Sequence, residues 1–272
     1  MHLSITTDYA KDTGNPEPYL RRIADAGFSH VHWCHHWNTD FLYSRWEIAQ
    51  LRAWLSEFGL QLLDLHASAG VEKNWTSLRE YERLAGVELV QNRLEMAAEL
   101  GSDVIIMHTG TPPDGQEQLF WQQLRRSLDT LESCARARGV RIALENGNWS
   151  IIETVLREYA PDYLGLCYDA GHGNLGWGSP EELARTHDRL LSIHLHDNDG
   201  TGDQHNLLFS GTVDWERLAG ILAASSYAKC VSMEVIIHHA GFQDEVAFLA
   251  KAYETGIRFA HMLDAHRKAH GK

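Results

Sequence analysis

Two histidines one residue apart, His194 and His196, occupy a segment in which apolar residues alternate with them. Strand side chains alternate between the two faces of a sheet, so Ile193 and Leu195 share one face and both imidazoles share the other. An acid-rich turn at 197–199 follows directly. Neutral imidazole and carboxylate groups are ligands that zinc, manganese and iron prefer in proteins. The pattern therefore predicts a divalent-metal site near the end of this strand.

Residue types that can bind a metal also end the other strands in this part of the chain. Six successive predicted strands end in His66, His108, Glu145, Asp169, His194 and Glu234, and the following loops add His172, Asp203 and His205. Four of these nine side chains are carboxylates, which would repel one another strongly if they met without a cation. Nine ligands are enough for two or three metals. The alternative is that each of the nine is a polar group with its own hydrogen-bond partners and no metal. Six consecutive strand ends that all carry His, Asp or Glu favour the metal site.

The elements that must position these residues alternate regularly along the chain. The predicted strands are 3–7, 29–34, 60–65, 104–107, 140–144, 163–168, 190–195 and 230–233, and the predicted helices are 16–26, 46–58, 84–100, 119–138, 151–159, 180–187, 215–224 and 242–267. Strict alternation favours a parallel sheet. Eight units over 272 residues match a closed (β/α)8 TIM barrel, whose active site lies at the C-terminal ends of the strands.

The alternative fold is an open, doubly wound sheet. It would need a glycine-rich phosphate loop after the first strand, and the chain has Thr6-Thr7-Asp8-Tyr9 there. We therefore predict that residues 1–272 form one TIM-barrel domain.

Composition limits the possible partners. The chain has 24 basic and 37 acidic residues, a formal charge of −13, which disfavours binding to nucleic acid or to an anionic membrane. The sequence contains no apolar run of transmembrane length and no recognisable signal peptide. The four cysteines are widely spaced, as reduced thiols would be. These features predict a cytoplasmic protein, with a homo-oligomer as an open possibility.

Taken together, the motifs resemble the xylose isomerase-like TIM barrel superfamily, which includes sugar phosphate isomerases and epimerases, endonuclease IV-like enzymes and AP endonuclease family 2. The resemblance covers nearly the whole chain. It is carried by His66 in Leu-Asp-Leu-His-Ala, His108 in Ile-Met-His-Thr-Gly, Glu145 in Ala-Leu-Glu-Asn, Asp169-x-x-His172, His194 in Ile-His-Leu-His-Asp, Asp203-Gln-His205, and Glu234 in Ser-Met-Glu-Val.

The resemblance implies between one and three divalent metals, most naturally zinc or manganese. In the endonuclease branch the matching residues hold three metals, one by His66, His108 and Glu145, one by Glu145, Asp169, His194 and Glu234, and one by His172, Asp203 and His205. In the sugar epimerase branch only the second set holds a metal, and the residue matching His172 contacts substrate. An arginine follows the seventh strand in that branch, whereas this chain has Asp203-Gln204-His205.

The function that this resemblance implies first is a metal-dependent sugar isomerase or epimerase. A metal would acidify the C–H bond next to a carbonyl group, and two bases would remove and return the proton. Glu145 and Glu234 are the candidate catalytic bases, and the resemblance places them on opposite faces of the substrate carbon. The expected partner is a small carbohydrate.

Four further residues are candidates for substrate contact, namely His35, Trp37, Trp177 and His196. Core packing or surface cover is the alternative for the tryptophans, and support of a ligand is the alternative for His196. Asp64 lies two residues before His66 on the same strand face and could orient a ligand.

Three other functions remain open on the sequence. A multinuclear zinc hydrolase of phosphoesters would use all nine ligands, although the negative charge argues against a DNA substrate. A related metal-dependent lyase that acts on an oxidised glycoside would use the same carbon-acid chemistry. A metal-binding barrel without turnover is the non-catalytic alternative.

Overall fold

Eight parallel strands form one sheet in the computed structural model, which describes residues 1–10, 14–67, 69–269 and 271. The strands are β1 (Leu3–Thr6), β2 (His30–Trp33), β3 (Gln61–His66), β4 (Val104–Met107), β5 (Arg141–Glu145), β6 (Leu164–Asp169), β7 (Leu190–His194) and β8 (Val231–Met233). Their order is β7-β6-β5-β4-β3-β2-β1-β8, so the first and last strands are neighbours. The prediction of a (β/α)8 TIM barrel is confirmed.

The barrel closes between β7 and β8 just beyond the regular end of β7. Leu195 and Met233 form a parallel bridge there. The Leu195 amide donates to the Ser232 carbonyl at 3.0 Å, and the Glu234 amide donates to the Leu195 carbonyl at 3.0 Å. The closing contact therefore lies between His194 and His196 in sequence and directly precedes Glu234, which follows β8.

α-Helices alternate with the strands. They are α1 (Glu17–Asp25), α2 (Arg45–Phe58), α3 (Glu80–Leu100), α4 (Glu117–Arg138), α5 (Trp149–Glu158), α6 (Ala170–Asn174), α7 (Pro180–Thr186), α8 (Trp215–Ala224) and α9 (Glu245–Ala269), and a 3₁₀ turn spans His187–Arg189. α2 begins at a capping box in which the Ser44 amide donates to the Glu47 carboxylate at 2.8 Å. No helix among the described residues is both long and apolar enough to cross a membrane.

Helix boundaries differ from the predictions at a few places. α3 begins at Glu80, whereas the predicted helix begins at residue 84. The prediction missed the first turn because that turn is polar and carries no apolar periodicity. α9 begins at Glu245 rather than at residue 242. The short helix α6 was not predicted, because Gly171 and Gly173 have low helix propensity. The Asp169 carboxylate caps α6 by accepting from the His172 amide.

Side-chain alternation along the strands divides the core into two parts. Leu3, Ile5 and their counterparts on the other strands pack against the helices. A second apolar cluster fills the barrel between β4 and β7 and consists of Val104, Ile106, Ala143, Cys167 and Leu191. The rest of the interior carries polar side chains that are fully buried: Ser4, His32, Asp64, Ser192 and Ser232. These polar residues share the inward face of the strands with the predicted ligands at the strand ends.

Candidate metal centre and active site

The predicted site residues meet at the C-terminal mouth of the barrel in two groups. We call the first the lower group, and it consists of His66, His108, Glu145, His194 and Glu234. His194 Nδ1 lies 2.8 Å from Glu145 Oε1 and 2.9 Å from Glu234 Oε2. His108 Nε2 lies 3.0 Å from Glu145 Oε2. His66 Nε2 lies 3.7 Å from Glu145 Oε2 and 3.6 Å from Glu234 Oε1, so Glu145 and Glu234 face the same imidazoles.

The upper group consists of Asp169, His172, His196, Asp203 and His205. His196 Nε2 lies 3.0 Å from Asp169 Oδ1 and 3.4 Å from Asp203 Oδ1. Asp203 Oδ2 lies 3.5 Å from His172 Nε2 and 3.3 Å from His205 Nε2. The rings of His196 and His205 stack at 4.0 Å between centroids. The loop after β7 thus folds back over the mouth and brings Asp203 onto three imidazoles.

The two groups can be compared with the ligand sets that the resemblance implies. His194 contacts Glu145 and Glu234 as expected, but the imidazole that lies on Asp169 is that of His196. His196, predicted as a substrate contact or as support for a ligand, therefore lies beside Asp169, the residue that the resemblance groups with Glu145, His194 and Glu234 around one metal. Both histidines face inward, and alternation alone could not tell which of them reaches Asp169.

The hydrogen bonds of the upper histidines suit a bound cation. His172 Nδ1 lies 2.9 Å from the Asn146 carbonyl and His205 Nδ1 lies 2.9 Å from the Glu234 carbonyl, so each Nδ1 is the protonated donor. Each Nε2 then faces the Asp203 carboxylate. A proton or a metal must lie between such acceptors, and an imidazole with its other nitrogen on a carbonyl is the usual form of a metal ligand.

Several buried polar atoms of the site lack a hydrogen-bond partner among the described residues. They are Asp169 Oδ2, His66 Nδ1, His194 Nε2 and His196 Nδ1. Buried polar atoms are normally paired, so a cluster of unpaired ones indicates a missing partner. The donor set of nitrogen and carboxylate oxygen fits zinc or manganese.

The charges of the site are strongly coupled. Burial alone would raise the pKa of the Glu145 carboxyl, but the positive charge of His194 and the hydrogen bond from it outweigh burial and hold that pKa below its ordinary value. Burial alone would lower the pKa of His172, but the charges of Asp169 and Asp203 raise it to about 10. At His108 burial dominates and lowers the pKa to about 4. The acids thus require cationic partners, a role that a divalent metal fills directly.

A buried layer of side chains supports the ligands from below. Asp64 Oδ1 lies 2.7 Å from His32 Nδ1, and the other carboxylate oxygen accepts from Ser192. The His32 ring packs against the His194 ring at 4.2 Å between centroids. The prediction placed Asp64 as an orienting residue for a ligand, and in the structure its immediate partner is His32.

The aromatic candidates for substrate contact differ in position. Trp37 stacks on His66 at 4.7 Å between ring centroids, and Trp177 lies 5.2 Å from His172 with 45% of its surface exposed. Both therefore flank the ligands. His35 is buried, packs edge-on against Trp33 and lines a cavity with Phe41, so the structure places it beside this cavity.

Two inward-facing residues at the mouth were missed by the sequence reasoning, Asp8 after β1 and Cys34 after β2. The Thr6 hydroxyl donates to Asp8, and Cys34 Sγ lies 3.8 Å from Glu234 Oε1. Burial, followed in effect by the charge of Glu234, raises the pKa of the Asp8 carboxyl. Extending the alternation of Ser4 and Thr6 by one step would have identified Asp8, and His32 would have identified Cys34 in the same way.

A close backbone contact at Gly171 gives a first testable prediction. A Cβ atom at this position would overlap the imidazole of His196. We expect Gly171→Ala to displace that ring, to weaken metal binding by roughly 10–100-fold, and to destabilise the fold by only about 1–3 kcal/mol. Metal titration by calorimetry and urea unfolding measure the two effects.

Gly147→Ala is the matched control, because its Cβ would meet no atom within 4 Å. Unchanged metal affinity in Gly171→Ala would remove His196 from the ligands.

Comparison with known proteins places the chain among barrels of related architecture. The family model described as xylose isomerase-like TIM barrel matches residues 20–252. The uncharacterized protein y4fM of Sinorhizobium fredii is 31% identical over an alignment of 279 positions. The alignment covers 91% of this chain and 89% of that protein. A probable endonuclease 4 of Mycobacterium ulcerans is 26% identical over 226 residues, covering 75% of this chain and 84% of that one.

Solved structures give the same architecture at lower identity. A D-tagatose 3-epimerase-like protein superposes with a TM-score of 0.79 at 20% identity, covering 97% of this chain and 99% of its own. An L-ribulose 3-epimerase superposes with a TM-score of 0.78 at 17% identity, covering 100% of this chain and 97% of its own. At these identities the likeness establishes the fold.

Proposed function

We propose that this chain, which belongs to the xylose isomerase-like TIM barrel family, is a divalent-metal-dependent sugar isomerase or epimerase. The observation that carries the proposal is the pair of carboxylates of Glu145 and Glu234. Both lie within 3 Å of one atom, His194 Nδ1, in the midst of the candidate ligands. Two bases held this close together among candidate metal ligands are what proton transfer at a carbon next to a carbonyl requires.

The ligands for such a metal come from both groups. The proposed set consists of His66, His108, Glu145 and Glu234 below and Asp169, His172, His196, Asp203 and His205 above, with His194 as a further candidate. This set would hold between one and three ions of zinc or manganese. When bound, the metal would polarise the carbonyl and the neighbouring hydroxyl of the substrate and so acidify the C–H bond.

Glu145 and Glu234 carry the proton in this proposal. One carboxylate removes the proton from the substrate carbon and the other delivers a proton to the opposite face. His194 holds their separation, because its Nδ1 contacts both. Trp37 and Trp177 flank the mouth and offer aromatic surface to the C–H face of a sugar. The names of the solved neighbours, D-tagatose 3-epimerase-like protein and L-ribulose 3-epimerase, support a free ketose as substrate.

The experiment that tests this function measures isotope exchange together with metal dependence. The full chain is treated with a chelator, reloaded with manganese or zinc, and incubated with a panel of ketoses in D2O. We expect metal-dependent incorporation of deuterium at the carbon next to the carbonyl, together with the epimer or the aldose, detected by NMR. Chelator-treated protein is the control. No exchange into any ketose with either metal would contradict the proposal.

A multinuclear hydrolase is the second candidate. The observation that favours it is that Asp203 contacts His172 and His205, residues that the resemblance reserves for a third metal. The relative named a probable endonuclease 4 supports the same function, whereas the formal charge of −13 opposes a DNA substrate. Zinc-dependent cleavage of an abasic-site oligonucleotide or of p-nitrophenyl phosphate, with three metals per chain by elemental analysis, would favour hydrolysis over epimerisation.

A further inference from the structure

The inner face of β2 brings a thiol and an imidazole towards the lower group. His32 faces the barrel interior, and alternation turns Cys34, two residues later, to the same side. Both are buried, and Cys34 Sγ lies 3.8 Å from Glu234 Oε1. Neither residue belongs to the ligand sets considered above.

The hydrogen bonds of His32 leave one ring nitrogen ready to bind a cation. Its Nδ1 lies 2.7 Å from Asp64 Oδ1, and Ser192 satisfies the other oxygen of that carboxylate. His32 Nε2 is buried and has no hydrogen-bond partner among the described residues. A carboxylate that fixes one imidazole nitrogen while the other remains a bare lone pair is the usual arrangement behind a metal-bound histidine.

Four donor groups surround the same small space. His32, Cys34, His66 and Glu234 each offer a ligand atom, and these atoms all lie within 4.8 Å of one another. Tetrahedral zinc, with bonds of about 2.0–2.3 Å, separates its ligand atoms by roughly 3.3–3.8 Å. His66 Nε2 and Glu234 Oε1 are 3.6 Å apart, and Cys34 Sγ and Glu234 Oε1 are 3.8 Å apart. These two separations match tetrahedral zinc, and the remaining ones lie within 4.8 Å.

We propose that His32, Cys34, His66 and Glu234 form a binding site for a thiophilic divalent cation such as zinc. Two imidazoles, a thiolate and a carboxylate select zinc over manganese, because sulfur is a soft ligand. Binding forms a metal–sulfur bond and releases the thiol proton to solvent. A cation held here engages Glu234, one of the two proposed bases. The site therefore links the choice of metal to the availability of that carboxylate.

Cobalt spectroscopy tests the thiolate ligand without any measurement of activity. The full chain is freed of metal and titrated with Co²⁺, which replaces zinc and gives an intense near-ultraviolet charge-transfer band only when a thiolate is bound. We expect the band in the wild type and its complete loss in Cys34→Ser. Cys134→Ser, at a half-buried cysteine of α4, is the matched control and should retain the band. His32→Gln should weaken cobalt binding by roughly 10-fold or more, the scale on which a lost metal-site group acts.

A second measurement needs no variant, in case Cys34→Ser does not fold. Zinc X-ray absorption spectra of the wild type should show one sulfur neighbour at about 2.3 Å. A shell of nitrogen and oxygen alone, or a cobalt band that survives in folded Cys34→Ser, overturns the proposed site. Manganese-dependent isotope exchange without the thiolate band would remove this site and leave the proposed function intact. The thiolate band without any isotope exchange would support this site and contradict the proposed function.

Discussion

Glutamine in place of Glu234 is expected to lower kcat for ketose epimerisation by roughly 10²–10⁴-fold, the contribution of a positioned acid or base. The amide keeps the size of the side chain but cannot accept the proton. Glu145→Gln should have an effect of the same order, because both carboxylates share His194 Nδ1 at 2.8 and 2.9 Å. Steady-state kinetics with saturating metal measure the loss. The metal content of each variant must be determined in parallel.

Isotope exchange separates a base from a mere ligand in these two variants. If the carboxylates act on opposite faces, each variant keeps one working base. Each variant should then still exchange deuterium into one of the two epimers, but neither variant should convert one epimer into the other. Loss of exchange into both epimers in both variants would mean that the glutamates only hold metal. Glu132→Gln, on the surface of α4, is the control and should leave kcat unchanged.

Alanine at Asp64 is expected to cost about 2–6 kcal/mol of unfolding free energy, because it leaves two buried polar groups without a hydrogen-bond partner, at about 1–3 kcal/mol each. Asp64 is fully buried, and it accepts from His32 at 2.7 Å and from Ser192. Its removal leaves an imidazole and a hydroxyl without partners inside the barrel. Urea unfolding of metal-free protein measures the change and excludes any contribution from metal binding.

Two further variants make the Asp64 experiment specific. Asp64→Asn keeps the shape and one acceptor, so its loss should be clearly smaller than that of alanine. Asp103→Ala removes a carboxylate that is 47% exposed and paired with Arg141 and Lys229 at the opposite end of the barrel. Exposed pairs contribute about 0–1 kcal/mol. Equal losses at Asp64 and Asp103 would show that the buried layer does not support the fold.

The fold could be predicted from the sequence because its signals are local and repeated. Strand and helix patterns alternate throughout. An inward-facing candidate ligand stands at or directly after the end of each apolar strand segment from β3 to β8. Glu145, Asp169 and Glu234 therefore fell at the mouth as expected. Depth along the barrel axis is not local, because it depends on strand tilt and on where the barrel closes.

That dependence explains why Asp169 lies beside His196 rather than beside His194. Alternation gives both an inward direction, but only the closed barrel shows that His194 meets the glutamates while His196 meets Asp169. Cys34 and Asp8 were missed for a different reason. They follow the regular strand ends by one or two residues, and a search limited to His, Asp and Glu at the ends of the later strands does not reach them.

The contact between Leu195 and Met233 also decides when the site can exist during synthesis. β8 pairs with β1, and Glu234 arrives only with β8, after every other candidate ligand has been made. A nascent chain that lacks this strand holds the histidines of β7 but neither Glu234 nor the contact that closes the barrel. A ligand stabilises only the species that binds it. A metal that is bound through Glu234 therefore stabilises only chains in which β8 has formed and the barrel has closed.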